Sequence, residues 1–454
     1  MVCYTKMVEV GYPSLEESQT ATPVFSDNEI VELSNKYGTP IFLVDEETLV
    51  NRLNTLRRAY REYVGDVHVA YSMKANFNPS ILQVFMRRGA LFDITSVGEL
   101  HFFTKSGGDV SRIIYTSVTE EENEFEKALK DGVRRFVVGS YNGLQNLVAA
   151  VNGSKKAVNV LIRINPEVAV KAVVRSACRN SKFGVPYSNG KKDSAPTLLK
   201  TILAEPLMSF EGFHFHLGSQ IEDISCYVGA LDRLEGFIER MKKQHPNLSV
   251  KIIDIGGGTP VFYGTPVPSP DEIGRIVSKR LNLFVERIGE KVTLVVESGR
   301  FLSTEASVLV TRVVNSKIYA DQKFIYVDAG FHLLLDAALL HQSYPQYVLP
   351  RSFEDDSVKV KLAGRLCDSY DIFPLSQASD LKGADLGKII VFQNVGAYSL
   401  VFGMPFHCQT KPPVFMRRLN GQFDLIRPAQ KIEELYEEEG GALLQPQPSD
   451  YSQS

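Results

Sequence analysis

The chain has 454 residues, 44% of them hydrophobic, with 50 basic against 53 acidic side chains and a formal charge of −3. That apolar content supports sizeable cores in two or three domains and excludes a disordered chain. The balanced charge excludes a protein built to bind nucleic acid.

In chain order, residues 1–25 are mixed and polar and read as a tail, without the apolar run of a signal peptide. No stretch approaches the ~18–20 apolar residues of a spanning helix, so no membrane partner is expected. PIFLVD (40–45) is a first strand. Eight further runs rich in Val, Ile and Phe follow: 67–74, 90–96, 112–117, 135–140, 158–165, 211–219, 250–258 and 292–300. Each ends in a small, polar or charged residue and is followed by a helical stretch. Ser96 and Glu99 have capping-box spacing, and Thr119-Glu-Glu-Glu loads acid into the start of a helix running through Ala128. Leu231, Leu234, Phe237 and Ile238 give 223–246 an apolar helical face. Eight strands alternating with helices predict a closed (β/α)8 barrel rather than an open sheet.

After Arg300 the rhythm changes. Segments 308–314, 323–330, 358–364, 388–398 and 413–427 are β-like without regular helices between them, and Asn420-Gly421 predicts a type I′ hairpin. The fold class is therefore α/β, a TIM-type barrel followed by a mostly antiparallel β-sandwich or β-barrel domain. The expected division is a tail at 1–25, a barrel at 46–300, a β domain of 26–45 plus 301–435, and a polar tail at 436–454.

Function in such a barrel collects where the strands end. Lys74 follows an apolar strand, where an ammonium is costly unless used or paired. In isolation a snorkelling lysine is the blander reading; the chemical one is an amine of lowered pKa that forms a Schiff base. Gly256–Gly258 suit a phosphate or merely a tight turn. His214 and His216 share a strand face, and His216 is nearer the end. Glu297 is an acid at a strand end that should meet a cation. The five cysteines, at 3, 178, 226, 367 and 408, form no CxxC pair and no zinc spacing, so they read as mostly reduced cytoplasmic thiols with no metal site.

AYSMKAN, FDITSVGEL, RINP, SKFG, FHFHLGSQ, DIGGG, ESGRFLS, CDSYD and VGAYS occur in one order across residues 40–405. In these motifs the chain resembles the fold-type III pyridoxal-phosphate decarboxylases, the group of diaminopimelate, ornithine and lysine decarboxylases, with an alanine-racemase-like architecture. The resemblance implies pyridoxal 5′-phosphate held by Lys74 as a Schiff base, with a quinonoid intermediate after loss of CO2. His216 would stack on the cofactor ring and Glu297 would keep its nitrogen protonated. Ser219, Gly257, Gly258, Arg300 and Tyr398 would bind the phosphate region, with Ser298 and Gly299 beside them and Asp93 and Arg163 close by. Cys367 would donate the proton to Cα, reaching the other subunit's site, which implies a homodimer.

Two residues depart from the family's usual prolines, Ser298 and Arg365. The segment 331–345 has neither Arg nor Tyr in the places the resemblance to the diaminopimelate enzymes leads one to expect. CDSYD places Asp368 to meet a distal ammonium, with Asp336 as a weak second acid and Arg300 and Tyr398 as further substrate contacts. The expected substrate is a cationic diamino acid such as ornithine or lysine, or a modified or carrier-bound relative. Diaminopimelate is the alternative, followed by an amino-acid racemase or a non-catalytic regulatory homologue.

Overall fold

The computed structural model describes residues 21–188, 191–350, 359–375, 381 and 383–443. The expected tails thus fall largely outside the described residues, as does Val358 at the start of one predicted strand. Strand β1 (Ile41–Asp45) is followed by the barrel strands β2 (Val67–Ser72), β3 (Leu91–Ile94), β4 (Ile113–Tyr115), β5 (Arg135–Val138) and β6 (Val158–Arg163). An outlying strand β7 (Ala172–Arg175) precedes β8 (Met208–His214) and pairs with β9 (Gly218–Ile221). β10 (Ile252–Asp254) and β11 (Thr293–Ser298) complete a closed parallel barrel in the order β10-β11-β2-β3-β4-β5-β6-β8. All eight predicted runs lie in it.

The two-residue period of these strands puts a site at one end of the barrel. Ala70, Ile114, Val137, Leu161, Ile252 and Val295 pack together as a buried cluster of their own. Two residues further along the same strands come Ser72, Arg163, Asp254 and Glu297. Asp93 and His214 join this level, because Asp93 pairs with Ser72, and His214 with both Arg163 and Asp254. An apolar layer thus gives way to a polar layer in one step toward the C-terminal mouth.

Helices close around the barrel, and many start at a side chain that caps their free amides. Asp45, Asn78, Ser96, Ser140 and Ser269 each accept a first-turn N–H. Two local expectations change. Glu99 sends its carboxylate to the amide of Thr95, 2.7 Å away, and not back to Ser96. The acid-rich helix starts at Glu122, because Glu120 turns away (φ 51°) and accepts N–H of Gly139 and the hydroxyl of Ser140.

The second unit is a nine-stranded sheet of β12 (Ser307–Tyr319), β13 (Gln322–Val327), β14 (Gln346–Leu349), β15 (Lys359–Ala363), β16 (Ile372–Phe373), β17 (Ile389–Gln393), β18 (Val414–Arg417) and β19 (Phe423–Arg427), together with β1. β1 runs antiparallel to β12 and parallel to β18. The β18–β19 connection is not a type I′ turn. Gly421 takes φ 84°, Asn420 is not at positive φ, and the turn closes through N–H of Gly421 to the carbonyl of Arg418. A tight turn followed by a left-handed glycine is the next commonest hairpin solution.

The sheet reaches the barrel mouth at one tightly packed place. Tyr398 donates its N–H to the carbonyl of Ala75 at 2.9 Å, and the Asn76 side chain donates to the carbonyl of Gly396 at 3.0 Å. A Cβ on Gly396 would lie 1.8 Å from the carbonyl oxygen of Ser303, so backbone must move to admit any side chain. Gly396→Ala should cost about 2–3 kcal/mol of stability, read as a lowered midpoint in thermal unfolding followed by circular dichroism; an unchanged midpoint would show that this junction yields freely.

Candidate active site

The polar layer converges on Lys74, which follows β2 in a short helical turn, Met73–Ala75. Its side chain is 44% exposed at the mouth, with Nζ 3.4 Å from Oδ2 of the buried Asp93. The amine is not the low-pKa group expected of it. Burial is the largest influence and lowers it, but Asp93, Tyr398 and Glu297 together outweigh burial and raise it. Asp93 arrives from β3, invisible to any local reading of VHVAYSMK.

Glu297, at the inner end of β11, lies 3.4 Å from Nε2 of His214 through Oε1. Burial raises its pKa, while Lys74 and Arg163 pull it down. Arg163 ends β6 with its guanidinium 4.5 Å from the ring centre of Phe183. His214 and His216 are both held well below the ordinary imidazole range, by burial first. Neutral imidazoles are therefore the resting forms. Nδ1 of His216 accepts N–H of Gly257 at 3.0 Å, which fixes the ring against the glycine turn.

That turn forms a cradle with no room for side chains. A Cβ on Gly257 would lie 2.9 Å from the carbonyl oxygen of Glu297, and one on Gly258 (φ 124°) 2.4 Å from Ile221 Cδ1. Gly299 is equally confined, 2.6 Å from Ala75 Cβ. Next to the cradle, Arg300 donates from Nε to Ser219 at 3.1 Å and from Nη1 to Tyr263 at 3.3 Å. Its guanidinium also lies 4.5 Å from the ring centre of Tyr398. Ser298 is buried beside Glu297. Asp336, 4% exposed, acts electrostatically on Arg300, and burial raises its own pKa.

The residue types fit pyridoxal phosphate: an amine, a carboxylate facing into the barrel, a flat imidazole and a glycine cradle with Ser219 and Arg300. Oδ1 of Asp93 and Oε1 of Glu297 are buried without a hydrogen-bond partner among the described residues. Such orphans are expensive unless something polar meets them.

Cys367 and Asp368 lie on the loop between β15 and β16, where their hydrogen bonds run to His407 and Tyr370. Cys367 is exposed, and its N–H points to Nδ1 of His407 at 3.4 Å. Asp368 accepts N–H of Tyr370 at 2.8 Å. The loop is organised by Asp371, whose carboxylate accepts N–H of Phe331 and of Leu366, both at 2.7 Å. Arg365 turns back, with N–H on the carbonyl of Ala329 and Nη1 3.4 Å from the carbonyl of Asp328. Sequence reasoning missed Asp254 and passed over His214. The strand-end rule that found Glu297 would have found both, since they end β10 and β8.

Residues 48–304 match the model of the pyridoxal-binding domain of the pyridoxal-dependent decarboxylases. The chain is 30% identical over 415 residues to the diaminopimelate decarboxylase of Vibrio cholerae, covering 90% of this chain and 94% of that one. Its fold is similar to that of a diaminopimelate decarboxylase from Methanocaldococcus jannaschii, with TM-score 0.82 and 24% identity over 92% of this chain and 94% of that one. A lysine/ornithine decarboxylase from Vibrio vulnificus, complexed with putrescine, superposes with TM-score 0.70 at 21% identity, over 86% and 97%.

Beside the Cys367 loop, His332 is 2% exposed with Nδ1 unpartnered among the described residues. Burial, then Arg365 and His407, hold it down at about 4. A depressed imidazole stabilises the fold above its ordinary value of 6.5 and loses that contribution as pH falls toward 4. The stability gap between wild type and His332→Asn should therefore be widest at neutral pH and narrow on acidification, in thermal melts recorded from pH 7 to 4. A gap independent of pH would show that His332 does not titrate in this window.

Proposed function

The chain belongs to the pyridoxal-dependent decarboxylase family, and we propose that within it the chain acts on an amino acid of the diaminopimelate type. It is a carboxy-lyase that uses pyridoxal phosphate. The observation that carries the site assignment is the meeting of Lys74, Asp93, Arg163 and Glu297 at one barrel mouth beside the glycine cradle.

Bound pyridoxal phosphate supplies the electron sink into which the bond to the departing carboxylate can collapse. The protein's part is to hold and tune it. Lys74 offers the amine, and Asp93 keeps a countercharge at 3.4 Å. His216, fixed by Gly257, would face the ring, and Glu297 would meet its nitrogen. Gly257, Gly258, Ser219 and Tyr398 would take the phosphate. Cys367 would return a proton to Cα from its thiol.

The earlier lean toward ornithine or lysine rested on Asp368 and gives way here. Relatives that span nine-tenths of the chain, that of Vibrio cholerae among them, are diaminopimelate decarboxylases. Diaminopimelate ends in a second amino-acid head that carries one ammonium and one carboxylate. Arg300 and Asp336 offer one charge of each sign, and each acts on the other. Such a pair supports recognition of a zwitterionic head even though 331–345 has neither an arginine nor a tyrosine in the places expected of a diaminopimelate enzyme. Asp336 also supports a second reading, a substrate ending in an ammonium alone.

The same reading makes the protein a cytoplasmic homodimer. Cys367 is exposed, and so are the large side chains of Tyr370, Ile372, Phe402 and Phe406, which a second copy would cover. Among the described residues all four cysteines are free, and no helix is long and apolar enough to cross a membrane. The division into a barrel at 46–300 and a β unit of 26–45 plus 301–435 is supported by the pairing of β1 with β12 and β18.

Protein purified with pyridoxal phosphate should be yellow, and Lys74→Ala should abolish both the colour and CO2 release. A colourless protein that takes up no cofactor would overturn the site assignment. Among meso-diaminopimelate and both enantiomers of ornithine and lysine, meso-diaminopimelate should give the highest kcat/KM. Asp336→Asn should raise its KM about 10- to 100-fold, the worth of a charge-assisted hydrogen bond, without loss of colour. Preference for ornithine or lysine would reject the diaminopimelate reading and leave the decarboxylase intact.

A further inference from the structure

Behind Glu297 lies a second buried group that none of the roles above uses. Asp254 ends β10, its Cα paired with that of His214 on β8. Glu297, His214 and Asp254 each bring one oxygen or nitrogen to within 4.8 Å of the other two. None of the three exceeds 3% exposure. Oδ1 of Asp254 accepts N–H of Gly256 at 2.8 Å. Its Oδ2, Oε1 of Glu297 and both ring nitrogens of His214 lack a partner among the described residues.

Two carboxylates in contact and out of water cannot both ionise. One proton between them turns two orphan oxygens into a strong hydrogen bond from acid to carboxylate. The charge belongs on Glu297. Lys74 and Arg163 stabilise its anion, whereas Asp254 has burial and the repulsion of Glu297 and Asp93 against one backbone amide. A divalent cation would add to the two positive charges already facing the trio. The bridging species is therefore a proton.

We propose that Asp254 is a neutral positioning residue, donating its carboxylic hydrogen to Oε1 of Glu297 so that the other oxygen of Glu297 stays anionic and fixed toward the ring nitrogen of bound pyridoxal phosphate. This rests on the reading of Glu297 as the partner of that nitrogen. His214 completes the arrangement as a neutral imidazole, its Nε2 3.4 Å from the same Oε1.

Asparagine can imitate a protonated aspartate here, since its oxygen can keep the Gly256 amide while its nitrogen donates to Glu297. The holoenzyme is loaded with cofactor carrying nitrogen-15 in the ring, whose chemical shift reports protonation independently of turnover. Asp254→Asn should keep the wild-type shift and lose less than about threefold in kcat. Asp254→Ala should move the shift toward the unprotonated ring and lower kcat about 10- to 100-fold. An asparagine variant as damaged as the alanine variant would overturn the proposal, and that result suffices should the alanine variant fail to fold. An unmoved shift in Asp254→Ala would overturn it too. Glu297→Gln is the separate control: if it leaves the shift at the wild-type value, the role of Glu297 fails and the positioning role falls with it.

Discussion

The molecule is organised around a balance of buried charge at one end of a closed barrel. Asp93, Asp254 and Glu297 are nearly inaccessible to water, and Lys74 and Arg163 are the cations that face them. Three uncompensated carboxylates there would be prohibitive, and two cations alone would be as bad. Together they form a network close to neutral that can receive a charged ring and a phosphate. The barrel supplies the stiffness such a network needs, because Asp93, Arg163, Asp254 and Glu297 each project from a strand bonded on both sides, and Lys74 follows directly after another.

The sheet is more than an appendage to this arrangement. Its Gly396–Tyr398 segment is clamped to Ala75 and Asn76, next to Lys74, and Tyr398 covers the guanidinium of Arg300. This end of the candidate site is thus built by the barrel and closed by the sheet. The Cys367 loop has its own supports, Asp371 and His407.

Much of this was legible in the sequence, for a physical reason. Parallel strands buried on both faces are continuous apolar runs, and their ends must change character where the interior meets water. Lys74, Arg163 and Glu297 stand at those changes. What stayed hidden was set by neighbours distant in sequence. The amine of Lys74 is raised rather than lowered because Asp93 lies 19 residues away but one strand over. Glu120 looked like a helix-starting acid until Gly139 and Ser140 claimed its carboxylate. Asp254 was overshadowed by the three glycines after it, although it obeys the same strand-end logic as Glu297.

The placement of β1 bears on the order in which the protein can assemble at the ribosome. This strand emerges before any of the barrel, yet its partners are residues 307–310 on one side and 414–417 on the other. Five consecutive buried residues, Ile41–Asp45, must therefore wait through synthesis of the whole barrel with both edges unpaired. Domains tend to fold as they emerge, so the barrel can close first, carrying an unsatisfied apolar strand at its entrance. Completion of the sheet, and with it the Tyr398 wall of the active site, is deferred to the last part of the chain.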